Sequence, residues 1–195
     1  MEQLAIVIPA YKIDFFESVL ESLAKQTNKN FTVYIGIDAS KADFEQIIKK
    51  YENLLDIVFK RFSENLGGKD LVAQWNRCIE LTNGEPWIWL FSDDDMMSPD
   101  CVECFYQEIV KGANFDLYHF DIDAIDENNH VIFKCRRFPK ILTSLDFYKG
   151  KENDDLDSFV VEYVFSRKVF EETGGFQNFD LAWGADIATW VKFAD

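Results

Sequence analysis

Short apolar runs and amphipathic stretches alternate along the first part of the chain. Apolar runs of about four to eight residues are typical of buried strands, and an apolar period of about 3.6 residues is typical of helices. The runs predict strands at Leu4–Pro9, Phe31–Asp38, Leu55–Phe62 and Trp87–Phe91. The stretches between them predict helices at Asp14–Gln26, Asp43–Tyr51, Gly68–Thr82 and Pro99–Lys111. This order predicts an α/β fold with a Rossmann-like, open, mainly parallel sheet and helices on both faces.

The alternation changes in the C-terminal half, where a small antiparallel addition is expected. Further strands are predicted at Asp116–Asp121, His130–Phe138 and Phe159–Ser166, with Asp126–Asn129 as the turn between two of them. Helices are predicted near Arg167–Thr173 and from Gly184 onwards. Glu152–Asp157 is a run of charge that predicts a solvated, mobile loop.

Length and charge narrow the class of protein. The 195 residues predict a single domain, 1–195, with a full core. A net charge of -15 argues against a nucleic-acid or anionic-membrane partner. The sequence leads us to expect neither a signal peptide nor a transmembrane segment. Four cysteines fit a reduced, cytoplasmic protein, and the lone Cys101-x-x-Cys104 pair is interpreted as structural rather than as a zinc or redox motif.

Three consecutive carboxylates, Asp93, Asp94 and Asp95, follow the fourth predicted strand directly. Like charges at one point destabilise a fold unless something positive lies there. A divalent cation is one interpretation, since hard cations take oxygen ligands. An acidic helix N-terminus is the other, because Ser98-Pro99-Asp100 is a good helix start.

Polar residues also follow the other strands, and ligands of such sheets bind outside the strands' carboxyl ends. Asp38 fits either a ligand contact or an Asx turn or helix cap. Gly67-Gly68 fits either a turn into a helix or a loop whose backbone amides approach a phosphate. Taken together with the three aspartates, these strand ends fit a nucleoside diphosphate held through a cation.

Five motifs in order make the chain resemble a family 2 glycosyltransferase of GT-A fold. They are Ile6-Val-Ile-Pro-Ala-Tyr11, Ile35-Gly-Ile-Asp-Ala-Ser40, Glu64-Asn-Leu-Gly-Gly68, Leu90-Phe-Ser-Asp-Asp-Asp95, and Gly174-Gly-Phe176 with Trp183-Gly-Ala-Asp186. The resemblance covers about residues 4 to 194. It implies a nucleotide-sugar donor, manganese or magnesium as cofactor, and inversion at the anomeric carbon.

The resemblance implies a donor site along the strand ends. Nucleotide-sugar-binding roles fall to Pro9, Ala10, Tyr11, Asp38, Asn65, Gly68, Lys69, Asp93 and Asp94. The first three would line the base pocket, and Asp38 would contact the base or ribose. Asp95 is the first choice of metal ligand, together with Asp93.

The resemblance implies an acceptor side as well. Asp186 would be the catalytic base that takes the proton of the acceptor hydroxyl; a helix-start acid is the alternative. Trp183 would stack against an acceptor sugar, or would simply belong to the core. Residues 1–112 would then form the nucleotide-sugar-binding half, and 113–195 the acceptor and catalytic-base half.

Three departures from the family pattern stand out. Ala185 replaces the usual glutamate before the base. The usual Ala-Arg-Asn reads Ala73-Gln-Trp-Asn76 here, so Lys69 or Arg77 would have to supply positive charge near the phosphates. Family members usually continue beyond this helix, whereas this chain ends at Asp195, so we expect part of the acceptor side to be absent through truncation or in a compact variant.

Three functions follow from these observations. The first is a metal-dependent inverting glycosyltransferase with a UDP-sugar as preferred donor and a saccharide or lipid-linked acceptor, in surface polysaccharide or glycolipid synthesis. It would be cytoplasmic, with peripheral attachment to the inner face of the membrane left open. The second is a sugar nucleotidyltransferase, for which the loop after the first strand is too poor in glycine and basic residues. The third is a non-catalytic member that binds a nucleotide or a partner protein.

Overall fold

A computed structural model of the protein describes residues 3–112 and 115–195, and a six-stranded sheet organises it. The strands are β1 (Leu4–Ala10), β2 (Phe31–Ile37), β3 (Ile57–Arg61), β4 (Trp87–Leu90), β5 (Leu117–His119), β6 (Asp123–Ile125), β7 (Val131–Lys134) and β8 (Tyr163–Ser166). The main sheet has the order β3-β2-β1-β4-β8-β5. Its first four strands are parallel, and β8 runs antiparallel between β4 and β5.

Seven helices lie between the strands or after them in the described part of the chain. They are α1 (Phe16–Ala24), α2 (Phe44–Tyr51), α3 (Leu71–Ile79), α4 (Cys101–Val110), α5 (Ser144–Glu152), α6 (Arg167–Glu172) and α7 (Ala185–Phe193). Short 3-10 turns cover Val160–Glu162 and Asp180–Ala182. None of the helices in these ranges combines the length and the apolar character that crossing a bilayer requires.

The central strands β1 and β2 are buried on both faces, whereas β3, at the edge of the sheet, is largely exposed. Every residue of β2 is buried, and β1 is buried apart from the half-buried Pro9. Strands covered on both sides read as continuous apolar runs instead of alternating patterns. The predicted open, mainly parallel sheet with helices on both faces is therefore confirmed. The first strand extends one residue beyond its predicted end, and the other elements of this half are shorter than predicted.

Two apolar clusters attach the helices to the two faces. On one face, Phe16 of α1 meets Phe44 of α2 edge-on at 4.8 Å between ring centroids, and α4 adds Phe105. On the other, Trp75 of α3 and Trp190 of α7 pack with the last strand and its neighbours. Because both faces are covered, the edge formed by the strands' carboxyl ends is left for a site.

The C-terminal half departs from prediction in two places. The turn at Asp126–Asn129 joins β7 to β6, a three-residue strand too short to be seen as a pattern, and not to the strand predicted at Asp116–Asp121. Helix α5 was not expected, because Phe147 is its only fully buried side chain and so its apolar period is weak. The predicted division after residue 112 falls at residues 113–114, outside the described residues.

The charge run Glu152–Asp157 is not a free loop along its whole length. It begins with the last residue of α5, and it ends at Asp157, whose side chain accepts hydrogen bonds from the backbone and guanidinium of Arg136. This pairing holds the pKa of Asp157 at about 2, well below its ordinary value. The run is therefore tied to the end of the β6–β7 hairpin.

Candidate active site

The carboxyl ends of β1, β2 and β4, here called the carboxyl edge, lie side by side in the sheet. The backbone amide of Asp38 donates to the carbonyl of Ala10 over 2.8 Å. Oδ2 of Asp93 accepts from the amides of Tyr11 at 2.6 Å and Lys12 at 2.7 Å. The residues after β4 thus fix the backbone of the loop after β1.

The three aspartates after β4 are held close together. The Ser92 hydroxyl lies 2.5 Å from Oδ1 of Asp94 and 2.8 Å from Oδ2 of Asp95. A hydroxyl has one proton, so it serves one of these carboxylates at a time. Asp94 is exposed, while Asp93 and Asp95 are half-buried. Repulsion inside the group is therefore only partly relieved by the protein.

The pKa values of two of these aspartates are raised, chiefly by burial. The pKa of Asp95 is raised, first by burial and then by the charges of Asp94 and Asp93, against a lowering contribution from Ser92. The pKa of Asp93 is also raised, first by burial, although the Tyr11 and Lys12 amides favour its charged form. Raised values for neighbouring acids indicate that positive charge would be favourable at this point.

The side chains that could serve as ligands decide whether a divalent cation fits this site. Among residues 3–112 and 115–195, no group of three or more His, Cys, Asp or Glu side chains is arranged to hold a metal. Magnesium-type ions are commonly bound by one or two carboxylates together with substrate phosphates. Asp95 and Asp93 therefore fit a cation that shares its coordination with a diphosphate, and do not form an all-protein cage.

Asp38 organises the loop after β3. The residue is buried. Oδ1 accepts from the amide of Leu66 at 2.7 Å and Oδ2 from that of Gly67 at 2.9 Å, and the Arg77 guanidinium pairs with Oδ1. Both oxygens are thus engaged within the protein. The predicted contact of Asp38 with a base or ribose stays a prediction, and it would have to use a remaining lone pair.

The two glycines of this loop allow the backbone to approach two side-chain oxygens of the protein closely. A Cβ at Gly67 would lie 2.9 Å from Oδ2 of Asp38, and one at Gly68 would lie 2.5 Å from Oδ1 of Asn65. The amide of Gly68 donates to that Asn65 oxygen, and the amide of Lys69 donates to the carbonyl of Leu66. The phosphate-binding role of this loop stays a prediction, and in this conformation the amides of residues 66–69 already donate to groups of the protein.

The remaining donor-side candidates differ in accessibility. Tyr11 is 54% exposed at the edge, Pro9 is half-buried, and Lys69 is exposed. Ala10 is fully buried in the core, so its methyl group does not line a pocket and only its backbone reaches the edge. Tyr11 is therefore the side chain of this group best placed to meet a ligand.

The start of α7 presents the acceptor-side candidates. Asp186 is half-buried in the first turn of this helix. Trp183 is 81% exposed, so the core interpretation of this residue is wrong. It stands between Ala182 with φ 56° and Gly184 with φ 69°. Left-handed backbone is costly for alanine, and such conformations are common near binding sites.

Helix α3 connects the two groups of candidates. Asp70 caps this helix by accepting from the amide of Ala73, and the amide nitrogen of Asn178 donates to both oxygens of Asp70 at 3.2 Å. Trp75 packs edge-on against Phe176 at 5.3 Å. The structure thus brings the donor-side residues together directly, while Asp186 and Trp183 reach them only through the packing of α3, with no hydrogen bond between the two groups among the described residues.

Sequence reasoning missed two residues of this site, Ser92 and Asp70, and it missed the partner of Arg77. Ser92 adjoins the aspartates, and its position alone was the available signal. Arg77 lies 39 residues from Asp38, and nothing local marks it as the partner. Asp70 was taken as part of a helix, and its double role as cap and as anchor for Asn178 depends on tertiary packing.

The sheet order and the acidic carboxyl edge place the chain among proteins of GT-A fold. The chain belongs to glycosyl transferase family 2, whose model matches residues 5–173. It is 29% identical over 118 residues to an uncharacterized glycosyltransferase of Haemophilus influenzae, covering 60% of this chain and 38% of the relative. An uncharacterized glycosyltransferase of Rickettsia typhi is 25% identical over 199 residues, covering 97% of this chain and 58% of the relative.

Solved structures support the fold. TarS 1–349 of S. aureus in complex with UDP-GlcNAc superposes with a TM-score of 0.72 at 16% identity, covering 98% of this chain and 53% of that one. The mannosyltransferase PcManGT of Pyrobaculum calidifontis, in complex with GDP-Man and Mn2+, gives 0.64 at 14% identity, covering 97% and 51%. The chain thus spans between about two fifths and three fifths of the lengths of these two relatives and two solved chains.

Proposed function

We propose that this chain carries the catalytic domain of a metal-dependent, inverting glycosyltransferase that moves a sugar from a nucleotide-sugar to an acceptor hydroxyl. The observation that carries the proposal is the carboxyl edge, where Asp93 and Asp95 are partly buried, mutually repelling and joined to the loop of Tyr11. Such a site is suited to a diphosphate that arrives with a cation.

The donor would lie along this edge, with Tyr11 at the base and Asp93 fixing the loop beneath it. Asp95 and Asp93 would hold manganese or magnesium, which when bound supplies positive charge to the leaving diphosphate. Asp94 and Lys69, which are both exposed, would meet the ribose or the phosphates. Support for a nucleotide-sugar comes from the solved relatives, which hold UDP-GlcNAc in TarS and GDP-Man in PcManGT.

Asp186 would act as the general base. The acceptor oxygen forms a bond to C1 of the sugar, the bond from C1 to the diphosphate oxygen breaks on the opposite face, and the hydroxyl proton passes to the Asp186 carboxylate. One base and no covalent intermediate are sufficient for this displacement. Trp183, exposed beside it, would stack against an acceptor sugar.

The biological setting follows the same proposal. A saccharide or lipid-linked acceptor, in the synthesis of a surface polysaccharide or glycolipid, agrees with an exposed aromatic residue at the acceptor side. A UDP-sugar is the preferred donor. The enzyme would work in the cytoplasm, where nucleotide-sugars are available, or at the inner face of the membrane.

Calorimetric titration with UDP, GDP and dTDP, each with and without manganese, tests the donor site. We expect one nucleotide to bind in a manganese-dependent way to the wild type, and Asp95→Ala to abolish this binding. Asp100→Ala is the matched control, because Asp100 is an exposed aspartate nearby with no side-chain cap bond to α4. Absence of binding to all three nucleotides would overturn the donor-site proposal.

A non-catalytic member of the same family is the second candidate. It is favoured by Ala185, which is fully buried and leaves Asp186 without a neighbouring carboxylate on that side. A donor-hydrolysis assay separates the two, since water can replace the acceptor in a working transferase. Manganese-dependent nucleotide binding without any turnover, unchanged in Asp186→Asn, would favour the non-catalytic protein.

A further inference from the structure

A buried ion pair lies behind the loop of residues 64–67. The side chain of Asp38 is 4% exposed and that of Arg77 is 16% exposed. A carboxylate this deep destabilises the fold unless it is paired and hydrogen-bonded. Arg77 supplies the pairing, and the loop supplies the other hydrogen bonds.

Both members of the pair hold the loop backbone. Asp38 accepts from the amides of Leu66 and Gly67 at 2.7 and 2.9 Å. Arg77 donates from Nη2 to the carbonyl of Glu64 at 3.1 Å. Arg77 therefore binds the beginning of the loop and Asp38 binds residues 66 and 67. The two side chains also form an ion pair with each other.

Arg77 is itself fixed from two further sides. Its guanidinium lies 3.9 Å from the centroid of the Phe62 ring. Its Nε donates to Oε1 of Gln74 at 2.5 Å, and Gln74 in turn donates to the carbonyl of Gly36 in β2 at 3.3 Å. A guanidinium held in this way has few donors left for a phosphate.

We propose that Arg77 is a positioning residue for the donor nucleotide. With Asp38 it forms a latch that keeps residues 64–67 against the carboxyl edge in the conformation that binds the nucleotide, and it acts through Asp38 without touching the ligand. The proposal rests on the proposed function, because it assumes that a nucleotide binds at this edge. It also replaces the expectation that Arg77 supplies charge to the phosphates.

The latch is tested first without any nucleotide, by hydrogen exchange at the amides of Leu66 and Gly67. We expect Arg77→Met to speed this exchange by about tenfold or more, because a buried carboxylate without its partner is no longer compensated. Arg77→Lys keeps the positive charge but loses the guanidinium that bonds both Asp38 and Glu64. Its exchange rate should therefore lie between those of the wild type and Arg77→Met. Exchange as slow in Arg77→Met as in the wild type would overturn the latch.

Arg167→Met is the matched control for this experiment. The Arg167 side chain is 20% exposed and donates to the carbonyl of Glu85 and the hydroxyl of Thr82, both at 2.7 Å, at the opposite edge of the sheet. It should lower thermal stability as Arg77→Met does. It should leave exchange at Leu66 and Gly67 unchanged, which separates the latch from general loss of stability.

The consequence for binding is measured by calorimetry with the nucleotide that the wild type selects. If the loop is competent only about a tenth of the time in Arg77→Met, the Kd rises about tenfold. Because Arg77 acts through Asp38, the double variant Asp38→Asn/Arg77→Met should bind no more weakly than Asp38→Asn alone. Additive losses would mean that Arg77 meets the nucleotide directly and would contradict the proposal.

The two proposals fail in different ways. A wild type that binds no nucleotide overturns the proposed function and with it the role in binding, while the exchange experiment still decides whether the latch exists. A wild type that binds, together with unaltered affinity in Arg77→Met, overturns the positioning role and leaves the proposed function intact.

Discussion

The donor and acceptor sides of this protein are built differently. On the donor side, Asp38 and Asp93 each hold two backbone amides of a neighbouring loop. On the acceptor side, no hydrogen bond or ion pair of the Asp186 side chain is found among the described residues, and Trp183 stands in solvent. Aspartate side chains therefore hold loops in place on the donor side, whereas the aspartate on the acceptor side has no such task.

This contrast separates stability from activity. Substitutions on the donor side should disturb loops and lower both stability and nucleotide affinity. Substitutions at the start of α7 should leave the fold intact and affect only turnover. The four changes below test that division, from the largest expected effect to the smallest.

Asp186→Asn should have the largest effect on turnover. Removing a general base lowers the rate by about 10²- to 10⁴-fold. Thermal stability and nucleotide affinity should stay close to wild type, because the carboxylate has no partner to lose. Donor turnover by coupled assay, thermal melting and calorimetry on the same samples check this, and a strong loss of stability would show that Asp186 supports the fold.

Gly67→Ala should destabilise the donor side. The new Cβ would lie 2.9 Å from Oδ2 of Asp38, so the carboxylate or the loop must move, at about 1–3 kcal/mol. Urea unfolding measures the loss, and calorimetry should show weaker nucleotide binding.

Gly84→Ala is the control for this change. Gly84 has φ 86° with nothing near its Cβ position, so alanine there is strained by about 1 kcal/mol without touching the latch. Its nucleotide affinity should equal that of the wild type. Equal loss of affinity in both variants would mean that general stability, and not the approach to Asp38, controls binding.

Trp183→Ala should weaken binding of the acceptor and leave binding of the donor unchanged. Loss of an exposed stacking surface is worth about 1 kcal/mol, or a few-fold in KM for a saccharide acceptor. Donor hydrolysis in the absence of acceptor should not change. A matching fall in donor hydrolysis would place Trp183 in the donor site and break the division between the two sides.

The fold was predictable to the extent that burial was continuous. The strands β1, β2 and β4 are covered on both faces, and their apolar runs are visible in the sequence. Helix α5 and the short strand β6 were not, because α5 buries only Phe147 fully and β6 has three residues. Weak burial leaves little periodicity to read.

The chemistry was predictable by residue type but not by role. The aspartates after β2 and β4 were found from their positions at strand ends. That Asp38 and Asp93 use their oxygens on Leu66, Gly67, Tyr11 and Lys12 depends on how the strands pack together. The Asp38–Arg77 pair joins residues 39 apart along the chain, so only the folded chain reveals it.

The smallest effect that we expect is the change in thermal stability caused by Asp95→Asn, and it should be a gain, whereas Gly67→Ala should cause a loss. The pKa of Asp95 is raised above its ordinary value of 3.8, first by burial, so the folded state is less stable once this carboxylate is charged. That loss is absent below the ordinary pKa, grows as the pH rises through the window up to the raised value, and is complete above it. Asparagine removes the charge.

The variant should therefore melt at a higher temperature than the wild type at pH 7 without metal, and at nearly the same temperature below pH 3.8. Manganese should narrow the difference at pH 7 by stabilising only the wild type, because a cation offsets the charge that the variant lacks. Thermal melting at both pH values, with and without manganese, measures this. A variant less stable than the wild type at pH 7 would show that Asp95 supports the fold as Asp38 does. Asp95 would then belong with the carboxylates that organise the protein and not with those that await a ligand.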